Sequence, residues 1–141
     1  MHRFKDLEIW KKSRVFCSSI YEITSNFPES EKFGLTNQLR RASVSIPSNI
    51  AEGSSRKTNK GFSRFLQIAL GSAYEIETQL LIAFDLKFMT ENELNKLHTI
   101  LNKKNSIISE IKSSNNQITT DKELKSSQSN VKSEKKDGGI I

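Results

Sequence analysis

Apolar residues recur at steps of three and four along most of the chain, and β-branched alternation in twos is absent, so the pattern predicts helices and no strands. Ile9, Phe16, Ile20, Ile23 and Phe27 share one face of a first helix expected from about Leu7 to Asn26, with Asp6 placed to cap it. Leu7, Trp10, Cys17 and Tyr21 form a second stripe, and Phe27-Pro28 ends the helix because the residue before proline avoids the α region. A second helix is expected from Glu31–Gly34 to Ala51–Gly53, burying Leu35, Leu39, Ala42, Ser43, Ile46 and Ile50. Pro47 should kink it, and Gly53 suits a C-terminal stop.

The third helix, about Gly61 to Lys87 with Thr58 or Asn59 as its cap, is the most apolar. Phe62, Phe65, Leu66, Ala69, Ala73, Ile76, Leu80 and Phe84 lie within roughly 100° of arc, while Ile68, Leu70, Leu81, Ile82 and Leu86 lie outside it. A helix apolar on several sides needs cover on several sides, so part of it is expected to pack against another subunit. Thr90-Glu91-Asn92-Glu93 opens a fourth helix as a capping box. Leu94, Leu97, Leu101, Ile108 and Ile111 then follow a seven-residue repeat, with Lys104 at its weak position, and the helix is expected to fade near Lys112. Short connections between long helices give an all-α, antiparallel up-down four-helix bundle.

Composition divides the chain. In 113–141 only Ile118, Leu124, Val131, Ile140 and Ile141 are apolar, too few to offset ordering entropy. The expectation is a bundle over 1–112 and a disordered polar tail over 113–141. The single cysteine, Cys17, excludes an internal disulfide and suits a reducing compartment. The segment MHRFKDLEIW is too charged for a signal peptide, and the most apolar stretch, Phe65–Phe84, contains Glu75 and Glu77. A soluble cytoplasmic protein without a membrane partner is expected.

The net charge of +6 is unevenly placed. Between residues 40 and 64, Arg40, Arg41, Arg56, Lys57, Lys60 and Arg64 face only Glu52. Such a segment attracts phosphates and speeds their encounter, which makes these six the candidate nucleic-acid contacts. Catalytic chemistry has no comparable signal. His2 and His98 are isolated, no metal-ligand spacing exists, and Gly53 and Gly61 lack the Gly-Lys-Ser/Thr ending of a phosphate loop. No enzyme activity, metal or cofactor is expected. Arg41 and Glu52 stand on one side of helix 2, about 16 Å apart along its axis, too far to pair with one another. Ser45, Ser48 and Asn49 between them make a narrow stripe that would admit a neighbouring helix. Asn49, Glu52, Gly53, Gly71, Ser72, Glu75 and Gln79 are therefore candidate interface residues. Gly71-Ser72 suggests close approach of another helix, and Arg41, Glu52, Glu75 and Gln79 polar contacts that fix register.

The segments FKDLEIW (Phe4–Trp10), LTNQLRRASVSIPSNIAEG (Leu35–Gly53) and FSRFLQIALGSAYEIETQLLIA (Phe62–Ala83) resemble the family of 23S rRNA-intervening-sequence proteins. That family is similar to the accessory variability proteins of diversity-generating retroelements. The resemblance covers roughly 3–112 and leaves the tail outside. It implies a four-helix bundle assembled as a ring-like homopentamer with a central channel, and a non-enzymatic role. The retroelement members bind a reverse transcriptase and nucleic acid through a basic surface. By position, Arg40 and Arg41 match the family's Arg pair on helix 2, and Arg56, Lys57, Lys60 and Arg64 its basic turn. The expected function is an oligomeric scaffold that contacts RNA or DNA phosphates, with RNA favoured. The alternative is an adaptor that docks a partner enzyme such as a reverse transcriptase.

Overall fold

In a computed structural model, residues 3–120 are described, and their regular structure is helix alone, with no strand among them. A 3-10 turn, Phe4–Asp6, leads into α1 (Glu8–Thr24), and a second, Glu29–Glu31, into α2 (Leu35–Ser54). Then follow α3 (Asn59–Asp85), α4 (Glu91–Asn102) and a last stretch, α5 (107–120). The faces picked out by periodicity meet in one core, where Phe16, Ile20, Leu39, Ile46, Ile50, Leu66, Ile76 and Leu80 are almost wholly buried. Contact between α2 and α3 is the most extensive, and contact between α1 and α2 comes next.

The helix ends differ from expectation in instructive ways. Asp6 does not cap α1. It lies inside the 3-10 turn, where its own N–H bonds Arg3 and that of Leu7 bonds Phe4, so the helix starts after it with Leu7 as the cap residue. α2 remains helical on both sides of Pro47. Its first turn is held by the Glu31 carboxylate, which accepts from the Leu35 N–H at 3.0 Å. Gly53 is no stop, because no glycine among the described residues has positive φ and the helix runs on to Ser54. Thr58 caps α3, accepting from the Gly61 N–H at 3.0 Å. At the other end Lys87 takes φ 63°. The Phe88 and Lys87 N–H groups reach back to Ala83 and Phe84, closing a Schellman motif around a non-glycine residue.

The expected fourth helix is two. The capping box at Thr90 and Glu93 is present, but α4 stops at Asn102. The repeat itself explains the break: continuing the helix would carry Lys104 into the core, whereas the break leaves it exposed. Asn105 turns the chain with φ 60°, a conformation asparagine tolerates. Ser106 then caps α5, its hydroxyl accepting from the Ser109 N–H at 3.2 Å. The Lys12 ammonium pins the corner, donating to the Asn105 carbonyl at 3.1 Å and to Glu110 at 2.6 Å. Helix also continues through 113–120, which composition had assigned to the tail. Ile118 packs on the core and Ser63 Oγ donates to Asn115 Oδ1 at 2.5 Å, so a few contacts hold a polar segment. Residues 121–141, the rest of the expected tail, lie outside the described residues.

On α3 Ile68, Leu81 and Ile82, and at its C-cap Leu86, are exposed in the single chain, while Leu70 packs partly against the core. Among the described residues no helix is long and apolar enough to cross a membrane.

The α2–α3 contact turns on Gly53. A Cβ there would sit 2.7 Å from Phe65 Cβ and 2.9 Å from Phe62 Cδ2. The nearer atom lies next to the backbone and cannot swing aside. Gly53→Ala is therefore expected to cost about 1–3 kcal/mol, read as a lowered thermal midpoint; an unchanged midpoint would show that α2 and α3 do not meet this closely.

Candidate nucleic-acid interface

The cation-rich segment spans the end of α2, the turn 55–58 and the start of α3. Gly53 lets the two helices close, and Phe65, whose Cβ lies against it, also carries the Arg56 guanidinium 4.7 Å from its ring centroid. Arg56 bonds Glu52 at 2.6 Å, an i,i+4 pair with both side chains about half exposed. Lys57, Lys60 and Arg64 are exposed, and among the described residues none has a hydrogen bond, ion pair or ring contact through its side chain. Lys60 and Arg64 stand one turn apart on α3, where like charges repel by about 0.2–0.5 kcal/mol. Four cations thus stand around the α2–α3 turn, and among the described residues Glu52 is the carboxylate paired with one of them.

Arg40 and Arg41 are not part of that corner. They lie fifteen or more residues before Arg56, and the helical rise puts about 20 Å of α2 between them and it. Arg40 is half-buried and occupied: Nε donates to Thr24 Oγ1 at 2.9 Å, Nη2 donates to the Tyr21 carbonyl at 3.3 Å, and the guanidinium stacks 4.7 Å from the Tyr21 ring. It binds a carbonyl near the C-terminal end of α1, where the helix dipole favours a cation. Arg41 is exposed and borders a shallow depression with Gln38, Ala42, Ser45, Ser72 and Glu75. Neither Arg40 nor its partner Tyr21 carries a local sequence signal for this contact, because the two are far apart in the chain.

The candidate interface residues fall on and around the same α2–α3 seam. The Ser45 and Ser72 hydroxyls meet at 2.9 Å across it, and Asn49 Nδ2 donates to the Ser45 carbonyl and hydroxyl at 2.8 and 2.9 Å. Gln79 Nε2 donates to Glu75 at 3.3 Å, while the buried Gln79 Oε1 has no hydrogen-bond partner among the described residues. Arg41 and Glu75 share the depression without forming an ion pair, and Glu52 is taken up by Arg56. Within the single chain Ser45–Ser72 joins α2 to α3, and Glu75–Gln79, two of the expected set, bond one another inside α3. No other part of the same chain approaches Gly71 closely: a Cβ there would meet nothing within 4 Å. Cys17 is half-buried with Sγ 3.4 Å from Ser43 Oγ, and His98 Nε2 lies 3.9 Å from Glu77. Among the described residues no group of three or more His, Cys, Asp or Glu side chains could hold a metal.

Sequence reasoning missed Phe65 as the platform under Arg56 and Gln38 as a wall of the Arg41 depression. Phe65 reads as core by periodicity, and only the approach of α2 turns it into a support for a cation. A search of curated proteins finds no match to the chain. The family model described as 23S rRNA-intervening sequence protein matches residues 5–110, from the first 3-10 turn into α5. With most of its length covered by that match, the chain belongs to the 23S rRNA-intervening sequence protein family.

Proposed function

We propose that this protein is a non-enzymatic, oligomeric nucleic-acid-binding scaffold of the cytoplasm that contacts phosphates, with RNA favoured. The observation that carries the reading is the uncompensated trio Lys57, Lys60 and Arg64 beside the α2–α3 turn. Three exposed cations with no ion pair among the described residues, two of them one helical turn apart, favour a phosphate backbone that relieves like-charge repulsion while releasing counterions. Arg56, held on Phe65, supplies a fourth cation whose charge Glu52 offsets. Membership of a family tied by name to 23S rRNA favours RNA as the ligand. Sequence-specific base reading is not part of the proposal, because Phe62 is buried and Phe65 lies beneath Arg56, leaving no aromatic row for stacking at this corner.

Assembly is the second half of the proposal. The helices are read as an antiparallel up-down bundle, with copies gathered through the outer side of α3 into a ring-like homopentamer with a central channel. Ile68, Gly71, Ile82 and Leu86 leave apolar or bare surface there, with Ser72, Glu75 and Gln79 on the same side. Repeating one cation corner around a ring multiplies phosphate contacts through effective concentration. A competing reading, an adaptor for a partner enzyme such as the reverse transcriptase served by accessory variability proteins, draws on Phe33. That ring is 87% exposed on the connection between α1 and α2. Partner capture that survives nuclease treatment would favour it.

Gel-shift titration of structured RNA across salt concentrations tests the first half. Affinity should fall steeply with salt, and Lys57→Glu, Lys60→Glu and Arg64→Glu together should weaken binding about tenfold or more. Arg40→Ala should lower thermal stability and leave binding in place. Binding that is flat in salt and survives the triple change would refute the phosphate reading. Light scattering tests the second half: five chains of 16.0 kDa should weigh about 80 kDa, and a 16 kDa species at micromolar concentration would contradict assembly.

A further inference from the structure

α1 packs on α2 and on α4, and α3 packs on the same two helices, so the α2–α3 seam and the α1–α4 seam lie on opposite sides of the fold. The α1–α4 contact is the least extensive of the four, and a groove of about 190 Å³ opens along it. Ile23, Leu97 and Ile100 give the groove its apolar lining, and Ser19, Glu22 and Lys96 are among its polar residues. Glu93 lines it too, but its carboxylate is taken up by the Thr90 N–H at 2.9 Å. On the opposite side, Ile68, Ile82 and Leu86 are exposed. At 3.6 residues per turn they fall with Gly71 and Glu75 within roughly 60° of arc, which makes a ridge along α3. Each side also holds an exposed cation and an exposed acid that form no ion pair among the described residues: Arg41 and Glu75 beside the ridge, Lys96 and Glu22 beside the groove. Arg40 reaches the Tyr21 carbonyl on α1, so its neighbour Arg41 stands near the level of Glu22. Ile82 and Leu86 end α3, from which a short connection leads into α4, so they stand near the level of Leu97.

We infer that the α1–α4 groove is the receiving half of a self-interface: it takes Ile82 and Leu86 from the α3 ridge of a second copy, whose Arg41 faces Glu22. The inference rests on the assembly reading above and supplies the surface that α3 meets. Its physical basis is complementarity of both kinds. An exposed apolar ridge on one side matches an apolar groove on the other, and burying the two together removes both from water. The charges beside them match in sign, since Arg41 and Glu75 meet a side that offers Glu22 and Lys96. Copies set side by side at one level bring the matching parts together without a shift along the helices. The two halves are different surfaces, so the contact is heterologous, and its repetition by rotation closes a ring. An α3 ridge packed on a second α3 ridge would instead be isologous and stop at a dimer.

Light scattering at micromolar concentration tests it, on full chains whose folding is checked by thermal melting. A ridge variant, Ile82→Glu with Leu86→Glu, and a groove variant, Ser19→Trp with Lys96→Glu, should each run as single chains of 16.0 kDa. Mixed, they should form a pair of about 32 kDa, two chains of 16.0, because the intact ridge of one meets the intact groove of the other and no further contact is left. A groove variant that assembles like the parent would overturn the inference, leaving the groove to some other ligand and the α3 reading in place. A mixture in which both variants stay single would overturn it as well. Charge reversal gives a second arm that uses exposed residues alone, and so holds even if the groove variant fails to fold. Arg41→Glu and Glu22→Arg should each raise several-fold the concentration at which copies separate, and the two changes in one chain should restore it. No restoration would overturn the pairing. A parent chain that is itself single would remove the assembly reading, and this inference with it.

Discussion

The close approach of α2 and α3 at Gly53 sets the position of nearly everything argued to be functional. With no side chain at that point, Phe62 and Phe65 pack directly against the α2 backbone. The helices therefore converge where the chain must reverse, and the turn 55–58 can be short. Arg56 uses the outer side of the same Phe65 as its platform, and Thr58 caps α3 at once. Lys57, Lys60 and Arg64 then follow directly from the turn and the start of α3. Further along the seam, Ser45 and Ser72 meet at hydrogen-bond distance, so two small residues keep the spacing tight beyond the glycine.

α3 carries two burdens that pull its composition in different directions. Its core side must fill the interior with Leu66, Ile76 and Leu80, and its start must keep cations in water. Its outer side shows a third character: Ile68, Ile82 and Leu86 are exposed, and Gly71 is bare. Isolated exposed apolar residues are ordinary on a protein surface. Aligned on one helix and interleaved with Glu75, they are what the proposed assembly draws on.

Much of this was legible in the sequence because periodicity reports burial directly. The faces of α1, α2 and α3 follow from spacing, and the Thr90 capping box and Thr58 cap follow from local side-chain chemistry. The break between α4 and α5 was hidden because the apolar repeat carries straight through it; Lys104 and Ser106 were the available signs, a charge at a core position and a cap residue just after it. Gly53 was misread as a stop because glycine serves both for left-handed backbone and for close packing, and only the neighbouring helix decides which. Arg40 looked like a phosphate contact because charge counts along a chain cannot tell an arginine in water from one bonded to the end of a distant helix. The helical state of 113–120 rests on contacts such as Ser63 with Asn115, which join residues far apart in sequence.

Lysine footprinting by acetylation, with and without bound structured RNA and read residue by residue by mass spectrometry, tests the central claim most directly. If the α2–α3 corner holds the phosphates, Lys57 and Lys60 lose reactivity on binding while Lys87 and Lys96, on other parts of the fold, keep theirs. Protection at Lys87 and Lys96 with Lys57 and Lys60 still reactive would contradict the account.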